Sequence, residues 1–307
     1  MRKAFFTYMV PIICTFISCE TEFIGDHEFG EKTIVIEGWI TDLNESQRII
    51  VSKSLNGNYF NRSEYYMPIG DLIDDAIVTI SSNTQAGDTL ELEFGGFDST
   101  WTGYYITNTF LAKAEETYFL RVEYEGKIYE ASAYMPPVPE MDSISYSRKQ
   151  VEKENATLTI PLVCFTDPVD EENYYLFRNG VIQESYEPET DDVWSLISST
   201  DPWSISIFSD KFINGAAVQL NVMEGITTYR YWMTGVYYFT PGDRFFVQMQ
   251  SLTKEAYAYY QALIDQLNYA AGVFHPSPAN APTNISNGGQ GFFGASSVSR
   301  IAGTFPE

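Results

Sequence analysis

From residue 32 to residue 139 the chain is a series of short apolar runs separated by turn residues, a spacing that leaves room for little except antiparallel β-structure. The runs cover 33–40, 48–54, 76–81, 89–94, 104–107, 117–124 and 127–134. In the third, Ile77, Thr79 and Ser81 alternate with Val78 and Ile80, which makes one face polar and the other apolar. Glu125-Gly126 between the last two runs is a tight hairpin signal. Strands this short and this frequent predict a sandwich, immunoglobulin-like or transthyretin-like in architecture. The inter-sheet disulfide of antibody domains has no counterpart here. Met135-Pro136-Pro137-Val138-Pro139 then marks a boundary, because prolines cannot serve inside a sheet and favour a stiff extended connector.

Beyond the prolines, 140–307 reads as a second β-rich domain, sandwich or barrel, with strand-like runs at 157–165, 173–178, 204–208, 217–222, 228–236 and 243–252. One helix is expected, over 254–271, in the C-terminal half. Thr253 or Ser251 can cap it, Glu255 lies in its first turn, and Gly272 ends it. Ala256, Tyr260, Leu263 and Leu267 form one apolar stripe, expected to cover the face or open end of a β-domain. The glycines at 288, 289, 291 and 294 are expected to turn the chain into a last strand. The fold class is therefore mainly β, in two domains.

Residues 1–18 have the form of an export leader: Arg2 and Lys3, then an apolar stretch over 4–17 too short to span a bilayer as a stable helix. Phe16-Ile17-Ser18-Cys19 resembles a lipobox in the looser form common in Bacteroidetes, which implies cleavage before Cys19 and lipid on its thiol. A plain signal peptide, or an N-terminal membrane anchor, with an incidental cysteine is the alternative. Residues 19–31 form an acidic tether carrying Glu20, Glu22, Asp26, Glu28 and Glu31. Acids just after the cysteine resemble a surface-export signal, although a solvated linker has the same composition.

With 41 acidic and 18 basic residues, and a formal charge of -23, the chain is a poor match for nucleic acid or for an anionic lipid surface. Membrane attachment falls to the acyl chains. Of the three cysteines, Cys14 leaves with the leader and Cys19 is lipidated, so Cys164 stands alone and reads as a small buried hydrophobe. No zinc, P-loop or nucleophile-elbow signature occurs, and no cofactor is expected.

A family resemblance rests on several short motifs in order. They are Ile34-Val35-Ile36-Glu37-Gly38, Tyr129-Glu130-Ala131-Ser132, Asp167-Pro168 followed by Asn173-Tyr174-Tyr175, Phe208 to Gly215, Phe274-His275-Pro276, and Asn284 to Gly294. Together with the lipobox these resemble the Bacteroidetes lipoproteins of domain of unknown function 4249. The resemblance carries no enzymatic activity and no catalytic residues. It implies an outer-membrane lipoprotein encoded beside a TonB-dependent receptor and acting as its accessory.

Candidate ligand-binding residues are Trp194, Trp203 and Trp232, with Trp101 in the first segment, since rings in polar sequence can stack on a glycan or pack on a peptide. Buried aromatics of a β-domain are the plainer reading. Asp167, Asp170 and Glu172, with Glu171 and Asn173 between them, put oxygen ligands close enough for a Ca²⁺ site, against the plainer reading of a solvated acidic turn. The expected role is non-catalytic: nutrient capture or docking on the receptor. An adhesin-like module independent of a transporter is the alternative, and a carboxylate-based hydrolase a third. Cys19→Ala is expected to abolish metabolic labelling with a radiolabelled fatty acid and to move the chain out of the membrane fraction; unchanged labelling would place the lipid elsewhere.

Overall fold

The alternation of the first segment resolves into two facing sheets, which take one strand from the far end of the chain. The computed structural model describes residues 32–54, 71–94, 103–151, 156–169, 171–182, 206–221, 228–231, 235–238, 242, 244–267 and 280–306. One sheet holds β1 (Ile34–Thr41), β2 (Gln47–Lys53), β3 (Asp71–Leu72), β6 (Glu91–Phe94), β7 (Gly103–Thr107) and β18 (Gln290–Ser296), in the order β18-β1-β2-β7-β6 with β3 on β2. The facing sheet runs β5-β4-β8-β9, from β5 (Asp88–Thr89), β4 (Ile77–Ser82), β8 (Thr117–Tyr124) and β9 (Lys127–Tyr134). Ile36, Ile40, Ile49 and Val51 from the first sheet meet Val78, Ile80, Leu120 and Val122 from the second in one core. The run predicted at 89–94 is broken by Leu90, which is buried in that core. Glu125 and Gly126 both have positive φ, 48° and 73°, as a two-residue primed hairpin turn requires.

β18 lies parallel to β1, from Val35 opposite Gln290 to Thr41 opposite Ser296, in an otherwise antiparallel sheet. Its side chains divide: Phe293 and Ala295 enter the first core, and Phe292 points the other way. Two glycines allow the close approach. At Gly291, φ is +90° and a Cβ would lie 2.2 Å from the Ile36 carbonyl oxygen; at Gly294 a Cβ would lie 2.3 Å from the Trp39 ring. The segment before β18 is pinned to β9, with Ser286 N–H donating to Glu130 O at 2.9 Å and Glu130 N–H donating to Ser286 Oγ at 2.7 Å.

The second pair of sheets is built from β10 (Met141–Val151), β11 (Ala156–Thr166) and β14 (Ala217–Leu220), in the order β10-β11-β14. Opposite them are β12 (Tyr174–Ile182), β13 (Ser206–Ser209), β17 (Arg244–Leu252) and β19 (Val298–Thr304), ordered β13-β12-β17-β19. Val163 and Phe165 pack against Tyr175, Phe177, Phe245, Val247 and Met249. Pro161, which has no N–H to offer, lies past the last rung of the β11–β14 ladder, which spans Val163 to Thr166. The run predicted at 228–236 forms a separate hairpin of β15 (Thr228–Tyr231) and β16 (Gly235–Tyr238).

The helix α1 (Lys254–Leu267) begins where the sequence places it; 268–271 lie outside the described residues. Thr253 caps it, its Oγ1 accepting from Ala256 N–H at 3.2 Å. The buried stripe, Ala256, Tyr259 and Tyr260, packs on Leu176 and Leu252 of the second sandwich and on Phe292 of β18 at once. Trp39 closes the contact, its ring 5.2 Å from Tyr260 and 6.2 Å from Phe292. α1 is thus a wedge between the outer faces of two sandwiches. The chain is mainly β, and among the described residues α1 is the one α-helix.

Gly291 and Gly242 have nearly the same φ, +90° and +95°, but a Cβ at Gly242 meets nothing within 4 Å. Gly242→Ala is expected to cost about 1–2 kcal/mol of backbone strain. Gly291→Ala should cost clearly more, because it also drives a methyl into the β1 backbone. Equal losses in urea unfolding would show that β18 does not approach β1 this closely.

Candidate functional site

One serine holds two of the stretches of chain that cross between the sandwiches. The first crossing starts at Met135, buried in the first core, and ends at Met141, buried in the second, with Pro136, Pro137 and Pro139 between them. The second is Ser297, the one residue between β18 and β19. Ser251 Oγ donates to Pro136 O at 2.5 Å and accepts from Ser297 N–H at 3.1 Å, and Ser251 N–H donates to Ser297 O at 3.1 Å. Ser296 Oγ donates to Ser251 O and accepts from Trp39 Nε1–H at 2.9 Å. Nearby, Arg300 reaches Glu45 at 2.6 Å and Asp42 Oδ1 accepts from Val298 N–H at 2.9 Å.

Two clefts border the proline strap. The smaller, about 480 Å³, runs past Asp42, Pro137, Glu140 and Arg300. The larger, about 570 Å³, is within the usual size of a small-ligand site. Its first wall is Glu115, Tyr134, Pro136 and Pro137; its second is the loop Glu171 to Tyr174; its end is Thr253, Lys254 and Glu255 at the start of α1. Glu115 has φ 64°, and its N–H donates to Met135 O at 2.8 Å, so its turn is clamped to the head of the strap. Tyr134 is 44% exposed. Tyr174 donates to Glu172 Oε2 at 3.1 Å, and its ring is braced by Tyr257 at 4.9 Å. Lys254 Nζ lies 3.4 Å from the same Glu172 oxygen. The Tyr174 hydroxyl, and then Lys254, hold the Glu172 carboxyl below its ordinary value, and Glu172 in turn raises Lys254.

The acidic loop named from the sequence has two fates. Asp167 is buried: its Oδ1 accepts from Tyr175 Oη at 2.6 Å and its Oδ2 from Gly215 N–H at 3.2 Å. Burial, first of all, raises its pKa above the ordinary value, against those two hydrogen bonds. Asp210, also buried, accepts from Asn173 N–H at 2.9 Å. Glu172 is at the surface in the large cleft with Lys254, and Asp170 lies outside the described residues. Asp167 therefore pins one loop to the 210–216 turn while Glu172 faces the cleft. Among the described residues, no three His, Cys, Asp or Glu side chains gather as a metal site.

Cys19, Trp101, Trp194, Trp203 and Trp232 lie outside the described residues. Trp39, which sequence reasoning passed over, sits at the junction. Cys164 is half-buried on the outer face of β11, with its thiol 3.5 Å from Ser145 Oγ, rather than in the core. The cleft residues Glu115, Tyr134, Tyr174 and Glu255 were also not anticipated; the only local hints were the proline strap and the helix start. Among the described residues, no helix is long and apolar enough to cross a membrane.

Tyr175→Phe removes the hydroxyl that helps Asp167 bear its charge. A carboxylate whose folded pKa is raised contributes stability fully below its unfolded value, near 3.8, and loses that contribution as pH rises through the folded value. Losing a donor raises the folded value further. The variant should therefore be destabilised by about 1–3 kcal/mol at neutral pH and by less near pH 4, in urea unfolding at both. A loss independent of pH would mean that Asp167 is already protonated at neutral pH.

Among the described residues the family motifs pair with one another: 34–38 with β18, 129–132 with 284–287, and 167–175 with 208–215; Phe274-His275-Pro276 lies outside the described residues. No curated protein matches the chain. The family model of a domain of unknown function, DUF4249, matches residues 20–302, and the chain belongs to that family.

Proposed function

We propose that the chain is a lipid-anchored outer-membrane protein, facing the cell surface, that captures a ligand or docks as a non-catalytic accessory of a TonB-dependent uptake receptor. The observation that carries the capture reading is the larger cleft at the junction. Both sandwiches contribute walls to it, its strap is stiffened by prolines, and an exposed tyrosine and several carboxylates line it. A site shared by two packed bodies has its walls set before a ligand arrives, which lowers the ordering cost of binding. The anchoring reading rests on the leader and on Ser18-Cys19. Two or three acyl chains hold a protein stably at a bilayer, and confinement to the membrane plane raises its effective concentration beside a receptor. A modest docking surface then suffices.

The test is a mild-detergent pull-down of the tagged full-length protein from outer membranes, beside its Cys19→Ala form. The expected result is a TonB-dependent receptor that co-purifies with the lipidated form and is lost with the other. If neither form retains a receptor, the accessory reading fails and an adhesin-like module takes its place.

A further inference from the structure

The larger cleft has a more specific chemistry than its size. Its carboxylates come from three separate stretches of chain: Glu115 before β8, Glu171 and Glu172 after β11, and Glu255 in the first turn of α1. The lining holds a single cation, Lys254, and that cation rests on Glu172. Among the described residues, Glu115, Glu171 and Glu255 have no ion-pair partner. The Lys254–Glu172 contact shows how an alkylammonium is received here, on a carboxylate that also accepts from the Tyr174 hydroxyl. Beside these charges, Tyr134 and the two prolines of the strap offer flat apolar surface. The aliphatic stem of a lysine or arginine can lie along such a surface while its head reaches the charge, and a ring face adds cation–π attraction.

We propose that this cleft takes a short extended peptide bearing two or more lysine or arginine side chains, its cationic heads on Glu115, Glu171 and Glu255 and their stems against Tyr134 and the proline strap. Carboxylates on separate walls call for several cations spaced along one backbone rather than for one amine. Lys254, already inside, remains the internal counter-ion of Glu172. The assignment rests on the ligand-capture reading above and names the class of ligand for that site.

The probe is a labelled tri-lysine amide, titrated by fluorescence anisotropy into the lipidated full-length protein in mild detergent. Two triple variants remove the same charge at different places. Glu115→Gln, Glu171→Gln and Glu255→Gln neutralise the cleft, at exposed positions, with circular dichroism checking that each variant is folded. Asp74→Asn, Asp75→Asn and Glu125→Gln neutralise the opposite end of the β4–β8 pair, where Ile77 lies opposite Glu123. The cleft triple is expected to weaken binding about tenfold or more and the distant triple about twofold at most, with binding falling as salt rises. Tyr134→Ala should weaken binding with no change in charge. Equal weakening by both triples would reduce the effect to general attraction by an acidic protein and overturn the proposal. Equal binding of an acetylated tri-lysine, or tighter binding of spermidine than of the peptide, would overturn it as well. A receptor that co-purifies while tri-lysine fails to bind would leave the accessory reading standing and remove only the ligand class.

Discussion

Everything in the described structure depends on a parallel strand pair whose members are at opposite ends of the chain. β18 completes the first sheet, delivers Phe293 and Ala295 to its core, and turns Phe292 outward to meet α1. One residue later the same chain becomes β19 of the second sandwich. The two bodies are therefore not beads on a string. They share a continuous strand, a proline strap and a helix, and Ser251 hydrogen-bonds to the strap and to the shared strand together. The clefts beside the strap inherit their shape from that arrangement, since each takes one wall from each body.

The family motifs take on a physical meaning in this light. Those within the described residues are weak in sequence because each is half of a contact. Asn284 bonds both backbone groups of Phe293, at 2.9 and 2.7 Å, and the Ser286 segment crosses to Glu130 on the other sheet. Buried Asp167, Tyr175 and Asp210 are tied together with the half-buried Asn173 and Gly215 in one knot of hydrogen bonds. Buried carboxylates that accept from backbone N–H groups and a tyrosine are a means of fixing loop geometry. These motifs hold the molecule together, and the cleft residues proposed to meet a ligand lie mostly between them.

The local part of this fold was legible. Period-two alternation placed β1, β2, β4 and the β8–β9 hairpin to within a residue or so, and Thr253 with Glu255 announced the start of α1. β10 escaped because Ser143, Ser145 and Ser147 fill its outward positions and dilute the strand signal, though Ile144 and Tyr146 alternate beneath them. The parallel pairing escaped for a different reason. Trp39 and Ser296, hydrogen-bonded in the structure, are 257 positions apart, and nothing local in either strand names the other. The cleft was hidden with it, because a site made by joining distant segments has no motif of its own. Asp167 reads in sequence as one oxygen of an acidic turn, and nothing local distinguishes such a residue at the surface from one buried against Tyr175 and Gly215.

The shared strand has a consequence for how such a chain matures. Synthesis runs from β1 toward β18, so β1 emerges early and its parallel neighbour only after residue 290 has been made. Until then the first sheet has an open edge along β1, and Trp39 has no Ser296 to bond. A chain cut short just before β18 keeps most of its strands but lacks the piece that closes either body. Closure thereby acts as a length check: only a molecule made through its final segment reaches the packed state, and shorter products stay open to proteases.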